Sequence, residues 1–343
     1  MHMADALISP AVGGTLWAAT AGLIGYSSKK VKQDMDDRRV PLMGVLGAFI
    51  FAAQMINFTI PGTGSSGHLG GGMILAVLLG PSAAFLTLSS VLTVQAFFFA
   101  DGGLLALGCN IFNLGFFPCF VAYPLIYKPL VKNKSSERRV ALGAILSAVA
   151  GLQLGALGVV LETHLSGVSD LPFGAFLLMM QPIHLAIGIV EGLATAAVVV
   201  FVRKANPGIL ELTAPAGPAR TSSFKKVLAG LLVAAAVTGG LVSWFASTYP
   251  DGLEWSISRS ADKETLEPPK ISLYAWLAAL QEKTALLPDY GFGTTVKEGA
   301  KDAWPAVDPG TSLSGLLGGF LTLAVLVLIA LVLKRGRRNH VPH

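Results

Sequence analysis

The chain has 343 residues, 53% of them hydrophobic and only 13% charged, about half the charged share of an ordinary soluble domain, with a mean hydropathy of +0.64. Composition this apolar, with its charges confined to short blocks, excludes a soluble enzyme and identifies an all-α polytopic membrane protein. The net charge of +5 calls for no nucleic acid, because the basic residues flank apolar segments. Cys109 and Cys119, both in one apolar run, exclude a disulfide framework and read as buried, inert thiols.

In chain order the apolar segments are 9–26, 40–58, 73–79, 83–99, 104–127, 140–161 and 177–202. They predict a seven-helix bundle in a first domain, residues 1–204. Segment 73–79 is the shortest and crosses a bilayer only if its helix begins within the glycines before it. The Pro/Ala/Gly-rich stretch 205–224 is a cytoplasmic linker. The remainder, 225–343, predicts two further transmembrane helices, 227–245 and 313–333, flanking an extracytoplasmic domain at 249–311. The start of the chain has no basic run and no small-residue cleavage pattern, so it is expected to persist in the mature protein.

Orientation follows from the basic residues. Of the 25 Lys and Arg, 19 fall in loops 27–39, 128–139, 203–226 and 334–343. The other six lie in the long 249–311 segment, and long domains translocate regardless of charge. This predicts a multi-pass protein of the cell membrane, N-terminus outside and C-terminus in the cytoplasm. The first residues and the loop 62–72 then share the outer side.

Those two stretches carry the chemistry. Met1-His2 offers an α-amine, a backbone amide and an imidazole that close fused chelate rings on one ion. Bulky His2 hinders removal of Met1. His68 lies in the glycine- and serine-rich loop and can complete a plane of four nitrogens. That geometry suits Ni(II) or Cu(II), with Co(II) near them in affinity. The competing reading is an ordinary disordered terminus. Gly62-x-x-x-x-Gly67 has the spacing of a phosphate loop, but His68 and Leu69 stand where Lys and Ser/Thr are needed. ATP hydrolysis therefore belongs to another chain.

Polar residues within the apolar segments gather at the same depth. Gln54, Asn57, Gln95, Asp101, Asn110 and Asn113 either orient the loop and its ligands or serve as interhelical hydrogen bonds. His184 and Glu191, seven apart on one helix face, are functional candidates as intramembrane ionisable groups. Gly188 and Gly192 beside them, and Gly151 and Gly155 in the preceding segment, equally predict close helix packing around a buried neutral carboxyl. His164, in an outer loop, and His340 and His343, in the tail, read as structural or solvated. An intramembrane zinc enzyme built on His184 and Glu191 lacks the H-E-x-x-H spacing and a third ligand. A metal sensor signalling through 249–311 is the remaining alternative.

The Met1-His2 start with Asp5 and Ile8-Ser9-Pro10 resembles the CbiM/NikM family, the substrate-binding membrane subunits (S components) of energy-coupling-factor cobalt and nickel importers. The loop Gly62 to Gly70 with His68, the run Gln95 to Asn113, and His184 to Gly192 resemble it too. Pro250-Asp251-Gly252-Leu253-Glu254 is similar to the signature of the small companion subunit, CbiN/NikN, so the chain resembles a fusion of the two. The resemblance implies metal ligation by Met1, His2 and His68. It implies Ni(II) or Co(II) as transported ligand rather than a resident cofactor, with nickel favoured. It also implies a transmembrane coupling subunit, ABC ATPase subunits and membrane lipid as partners. The start reads Met-His-Met-Ala-Asp, without the Pro and Gly more usual after Met-His.

Overall fold

A computed structural model describes residues 2–34, 39–132, 135–205, 221–261, 266, 268–292 and 304–338. Met1, linker residues 206–220 and the tail histidines His340 and His343 lie outside the described residues.

The apolar segments form helices. Helix α1 (Pro10–Gln33) begins where the Ser9 hydroxyl accepts the Val12 amide and Pro10 supplies a preset first residue. Helix α2 (Arg39–Gln54) leads into an antiparallel hairpin, β1 (Phe58–Ile60) and β2 (Ser65–Gly67), with Thr59 opposite Ser66. Gly62 and Gly64 turn it at φ of 77° and 73°. The first domain continues with α3 (Gly72–Leu79), α4 (Pro81–Phe98), α5 (Leu107–Leu130), α6 (Glu137–Ser166) and α7 (Phe173–Ala205). Within α5, residues 112–127 follow the wider π-helical turn and carry Pro118 and Pro124, which have no N–H to give to a ladder. The second part has α8 (Thr221–Gly240), two outer helices α9 (Gly252–Ala261) and α10 (Ser272–Thr284), and α11 (Pro309–Arg338).

Among the described residues five helices combine membrane-spanning length with sufficient hydropathy: α4, α5, α6, α7 and α11. Two differences from the sequence expectation have physical causes. Helix α3 has only eight residues, a rise of about 12 Å, well short of a hydrocarbon core of about 30 Å. The irregular chain before it is buried in protein rather than facing lipid, which is where non-helical backbone is tolerated at depth. His164 is not in a loop: α6 continues to Ser166 and stops at Gly167, left-handed at φ 60°, and His164 packs against Phe173.

Helix α11 seats on α2, and α8 on α11, through small residues. A Cβ at Gly318 would lie 1.9 Å from the Phe51 ring, one at Gly47 2.5 Å from Leu326, and Gly239 meets Gly315 backbone to backbone. Gly318→Val should therefore cost about 1–3 kcal/mol by overpacking. A lowered thermal midpoint with faster proteolysis of the 304–338 segment is the expected result, and an unchanged midpoint contradicts this seating.

Candidate metal site

The site is built where the N-terminal strand, the hairpin loop and the Asp101 turn converge. Met3 is fully buried, so the terminus is threaded into the protein. Asn110 of α5 holds its backbone from both sides: Met3 N–H donates to Asn110 Oδ1 at 2.8 Å, and Asn110 Nδ2 donates to the Met3 carbonyl at 3.2 Å. Gly103 N–H also donates to that carbonyl, at 2.9 Å. Gly103 must be glycine, since a Cβ there would sit 1.9 Å from Asp5 Oδ1 and 2.4 Å from the Asp5 amide nitrogen. Asp5 in turn accepts the Ala106 amide at 3.0 Å. Met3 and Ala4, which replace the more usual residues, therefore enter along a fixed path.

The loop is pinned at Gly70 by two helices. Gln54 Nε2 donates to its carbonyl at 2.8 Å, and Gln95 Nε2 donates to Gln54 Oε1 at 2.9 Å. Glu191 Oε2 accepts the Gly70 amide at 2.8 Å, and the carboxyl also faces the amides of Gly71 and Met73 at the start of α3. Glu191 is 1% exposed, so these amides are its solvation. Gly188 and Gly192 meanwhile bring α7 against the α6 backbone at Val149 and Ile145. On sequence a functional role for Glu191 and close packing around it were alternatives; here Glu191 holds the loop while the flanking glycines pack α7 closely.

These two anchorages bring the imidazoles of His2 and His68 into a parallel stack, centroids 5.0 Å apart and planes within 5°. His2 Nδ1 lies 3.1 Å from Asp101 Oδ1, so it carries the proton, and its Nε2 is buried without a hydrogen-bond partner among the described residues. His68 Nδ1 faces the Leu69 carbonyl at 3.1 Å, an acceptor, which leaves Nε2 as the lone-pair nitrogen. Chelation through His2 Nδ1 requires that ring to turn away from Asp101.

Of the other residues singled out on sequence, Gln54, Gln95, Asp101, Asn110 and Glu191 join this constellation. Asn57 reaches the outer segment instead, its carbonyl accepting the Ser247 amide at 2.7 Å. Asn113 turns to Glu162, 2.7 Å away. His184 lies on a small cavity with His68. Cys109 and Cys119 are buried free thiols.

Sequence reasoning missed the contribution of the C-terminal part. Asp251 Oδ2 lies 4.0 Å from His68 Nε2, while Asp251 Oδ1 caps α9 by accepting the Leu253 and Glu254 amides. Pro250 and Tyr249 carbonyls accept from Ser66, and Trp255 Nε1 donates to the Thr63 carbonyl. Tyr290 donates a short hydrogen bond to Asp101. Gln281 donates to the Ala96 and Gly102 carbonyls, and Tyr274 to that of Ile8. The motif 250–254 was visible in the sequence, but nothing there tied its aspartate to His68, and Tyr290 carried no signal.

Burial raises a carboxyl pKa, yet His2 and Tyr290 overcome it and hold Asp101 well below the usual carboxylate range. Asp251 is likewise held low by His68 and the Glu254 amide against its burial. His68 is pushed down from 6.5 to about 3, by burial first and by His2. Two carboxylates held ionised thus face two imidazoles, His68 being held neutral, although among the described residues no group of three or more His, Cys, Asp or Glu is placed to hold a metal ion.

The CbiM family, described as the cobalt uptake substrate-specific transmembrane region, matches residues 2–209. The chain belongs to the CbiM family. The PDGLE domain matches residues 225–335, so CbiM and PDGLE parts are joined here in one chain. A protein of Archaeoglobus fulgidus, provisionally described as a fused nickel transport protein NikMN, is 30% identical over 335 residues, covering 95% of this chain and 96% of that relative. The fused nickel transport protein NikMN of Rhodobacter capsulatus is 34% identical, covering 64% of this chain and 67% of its own length. The cobalt transport protein CbiM of Sorangium cellulosum is 28% identical over 62% of this chain and 95% of its own length. Among solved structures, a truncated transition metal transporter aligns with TM-score 0.53 at 31% identity, over 60% of this chain and 99% of that one. This CbiM-family chain is therefore a multi-pass membrane protein with the fold of a metal transporter, rather than an enzyme.

Two outcomes test the site's construction. Asn110→Ala leaves the Met3 amide short of a partner, which should cost about 1–3 kcal/mol of stability and loosen the terminus; unchanged thermal stability contradicts the clamp. His68 stays neutral when folded but takes a proton below about 6.5 when released, so the folded loop loses stability as pH falls from about 6.5 toward 3. Hydrogen exchange at residues 65–70, corrected for intrinsic rate, should show less protection at pH 5 than at pH 7. Equal protection contradicts the shift.

Proposed function

We propose that this chain is the substrate-binding S component of an energy-coupling-factor importer for Ni(II), with Co(II) as the alternative cargo. Met1, His2 and His68 capture the ion. The observation that carries the reading is the parallel His2–His68 pair at 5.0 Å, held by a terminus and a loop that are each fixed by buried hydrogen bonds. The α-amine of Met1 and the His2 amide are the remaining nitrogens of a planar set, and both must lose protons on binding. Asp101 then serves as an outer partner, accepting from His2 in the empty state and releasing it for chelation.

The capture face lies outside, the basic loops face the cytoplasm, and the bundle crosses the cell membrane, the short α3 and the buried loop before it together making one of the seven-plus-two passages. Import requires ATP hydrolysis by separate ABC subunits, reached through a transmembrane coupling subunit. The near full-length likeness to a chain described as NikMN supports nickel. The 249–311 segment, whose Asp251 and Tyr290 meet the site, assists loading from above.

His2→Ala or His68→Ala should abolish Ni(II) uptake by cells expressing the complete transporter. Insertion of one residue between Met1 and His2 should do the same, because it separates the amine from the ring. Uptake persisting in these variants, with the protein inserted at normal levels, contradicts the reading.

A further inference from the structure

At the opposite end of α1 from His2, a cavity of about 300 Å³ opens between α1, the start of α2, the junction of α3 with α4, and the end of α5. Among the described residues lining it are three cations, Lys30, Arg39 and Lys128, against a single carboxylate, Asp34. Lys30 reaches Asp34 at 3.7 Å, but the two side chains are 51% and 46% exposed, and an exposed pair of this kind holds weakly. Lys128 lies over the Tyr123 ring, 5.3 Å from its centroid, a contact that leaves the ammonium able to donate.

The α3–α4 junction adds donors to this basic set. Pro81 has no N–H, and the helical ladder of α4 opens with the Ala84 amide on the Gly80 carbonyl at 3.0 Å. The Ser82 and Ala83 amides therefore precede the ladder, and Gly80 brings no side chain to cap them. Ser82 is 9% exposed and lines the cavity, and no hydrogen bond among the described residues engages its hydroxyl. Buried donors beside three cations call for an anion. The remaining wall is apolar, from Val31, Leu79, Phe120 and Pro124. Tyr26 stands edge-on to Phe120 at 6.4 Å and is 58% exposed, so this wall continues onto the outer surface of the bundle. A small inorganic anion gains nothing from such a wall, whereas an acyl chain does.

We propose that this cavity binds the headgroup of an anionic phospholipid. The phosphate sits among Lys30, Arg39, Lys128 and Ser82, and the acyl chains leave along Phe120 and Tyr26. A basic pocket between membrane helices, open to the bilayer along an apolar wall, is the chemistry that selects an anionic headgroup over a zwitterionic one. Tyr26, with an apolar ring and a polar tip, suits the headgroup depth. The binding itself is independent of the metal reading above; only the leaflet, the cytoplasmic one, follows from the orientation proposed there.

The test is native mass spectrometry of the full chain, titrated with phosphatidylglycerol or with phosphatidylcholine of the same acyl chains. Wild type should retain one phosphatidylglycerol about tenfold more tightly than phosphatidylcholine. Lys30→Gln with Lys128→Gln should bring that preference down to about twofold or less, while Lys30→Arg with Lys128→Arg should keep it. Without any substitution, raising the ammonium acetate concentration should shrink the preference severalfold in wild type, since the cations are partly open to solvent. Millimolar inorganic phosphate should leave the bound phosphatidylglycerol in place. No preference in wild type, or one that neither the Gln pair nor salt reduces, overturns the site. Displacement of the lipid by inorganic phosphate makes a free anion the occupant and overturns the lipid assignment.

Discussion

Burying the backbone of Met3 in the bundle removes an amide and a carbonyl from solvent, and both must then be paired within the protein. Asn110 pairs both with one side chain. Everything else about the site depends on that hold. It fixes where His2 can be, and it explains the glycines at 102 and 103, which leave space for the incoming strand. It also explains why a polar residue is fully buried in the middle of the Leu104–Tyr127 apolar run. The second anchorage, Gly70 between Gln54 and Glu191, follows the same rule, a buried peptide unit satisfied by side chains from two helices. The His2–His68 stack is the consequence of the two.

The same logic accounts for the C-terminal part. Residues 249–290 bury Leu253, Ile257, Tyr274 and Leu287 in the common apolar core and add hydrogen bonds to the rim of the first domain: to Ser66, Thr63, Ala96, Gly102 and Asp101. Helix α11 seats through glycines against α2, and α8 against α11, in a close fit.

Much of this was legible in the sequence, for identifiable reasons. Apolar runs between basic blocks located the helices, because the bilayer imposes length and hydropathy on each. The polar residues within those runs marked the site's depth, because an uncharged amide is buried in such a helix only to satisfy something. Gln54, Gln95 and Asn110 proved to do so. Asn113 did not join them, since a helical spacing of three from Asn110 shares a face only in a regular helix and residues 112–127 follow the wider turn. The Met73–Leu79 segment was read as a span on parity, whereas glycines before it form a buried loop. Asp251 and Tyr290 were illegible as site residues: their partners are 183 and 189 residues away, and no local pattern encodes a contact of that range. His164 was misplaced by a residue count, because α6 runs one turn farther than its apolar stretch.

The central claim is that two imidazoles and the chain terminus hold one ion in a plane of nitrogens. X-ray absorption at the nickel edge of the Ni(II)-loaded full chain tests it most directly. The account predicts a four-coordinate planar nitrogen shell with outer scattering from two imidazole rings, reduced to one ring in His68→Ala. A six-coordinate, oxygen-rich shell, or an imidazole count that His68→Ala leaves unchanged, would contradict it.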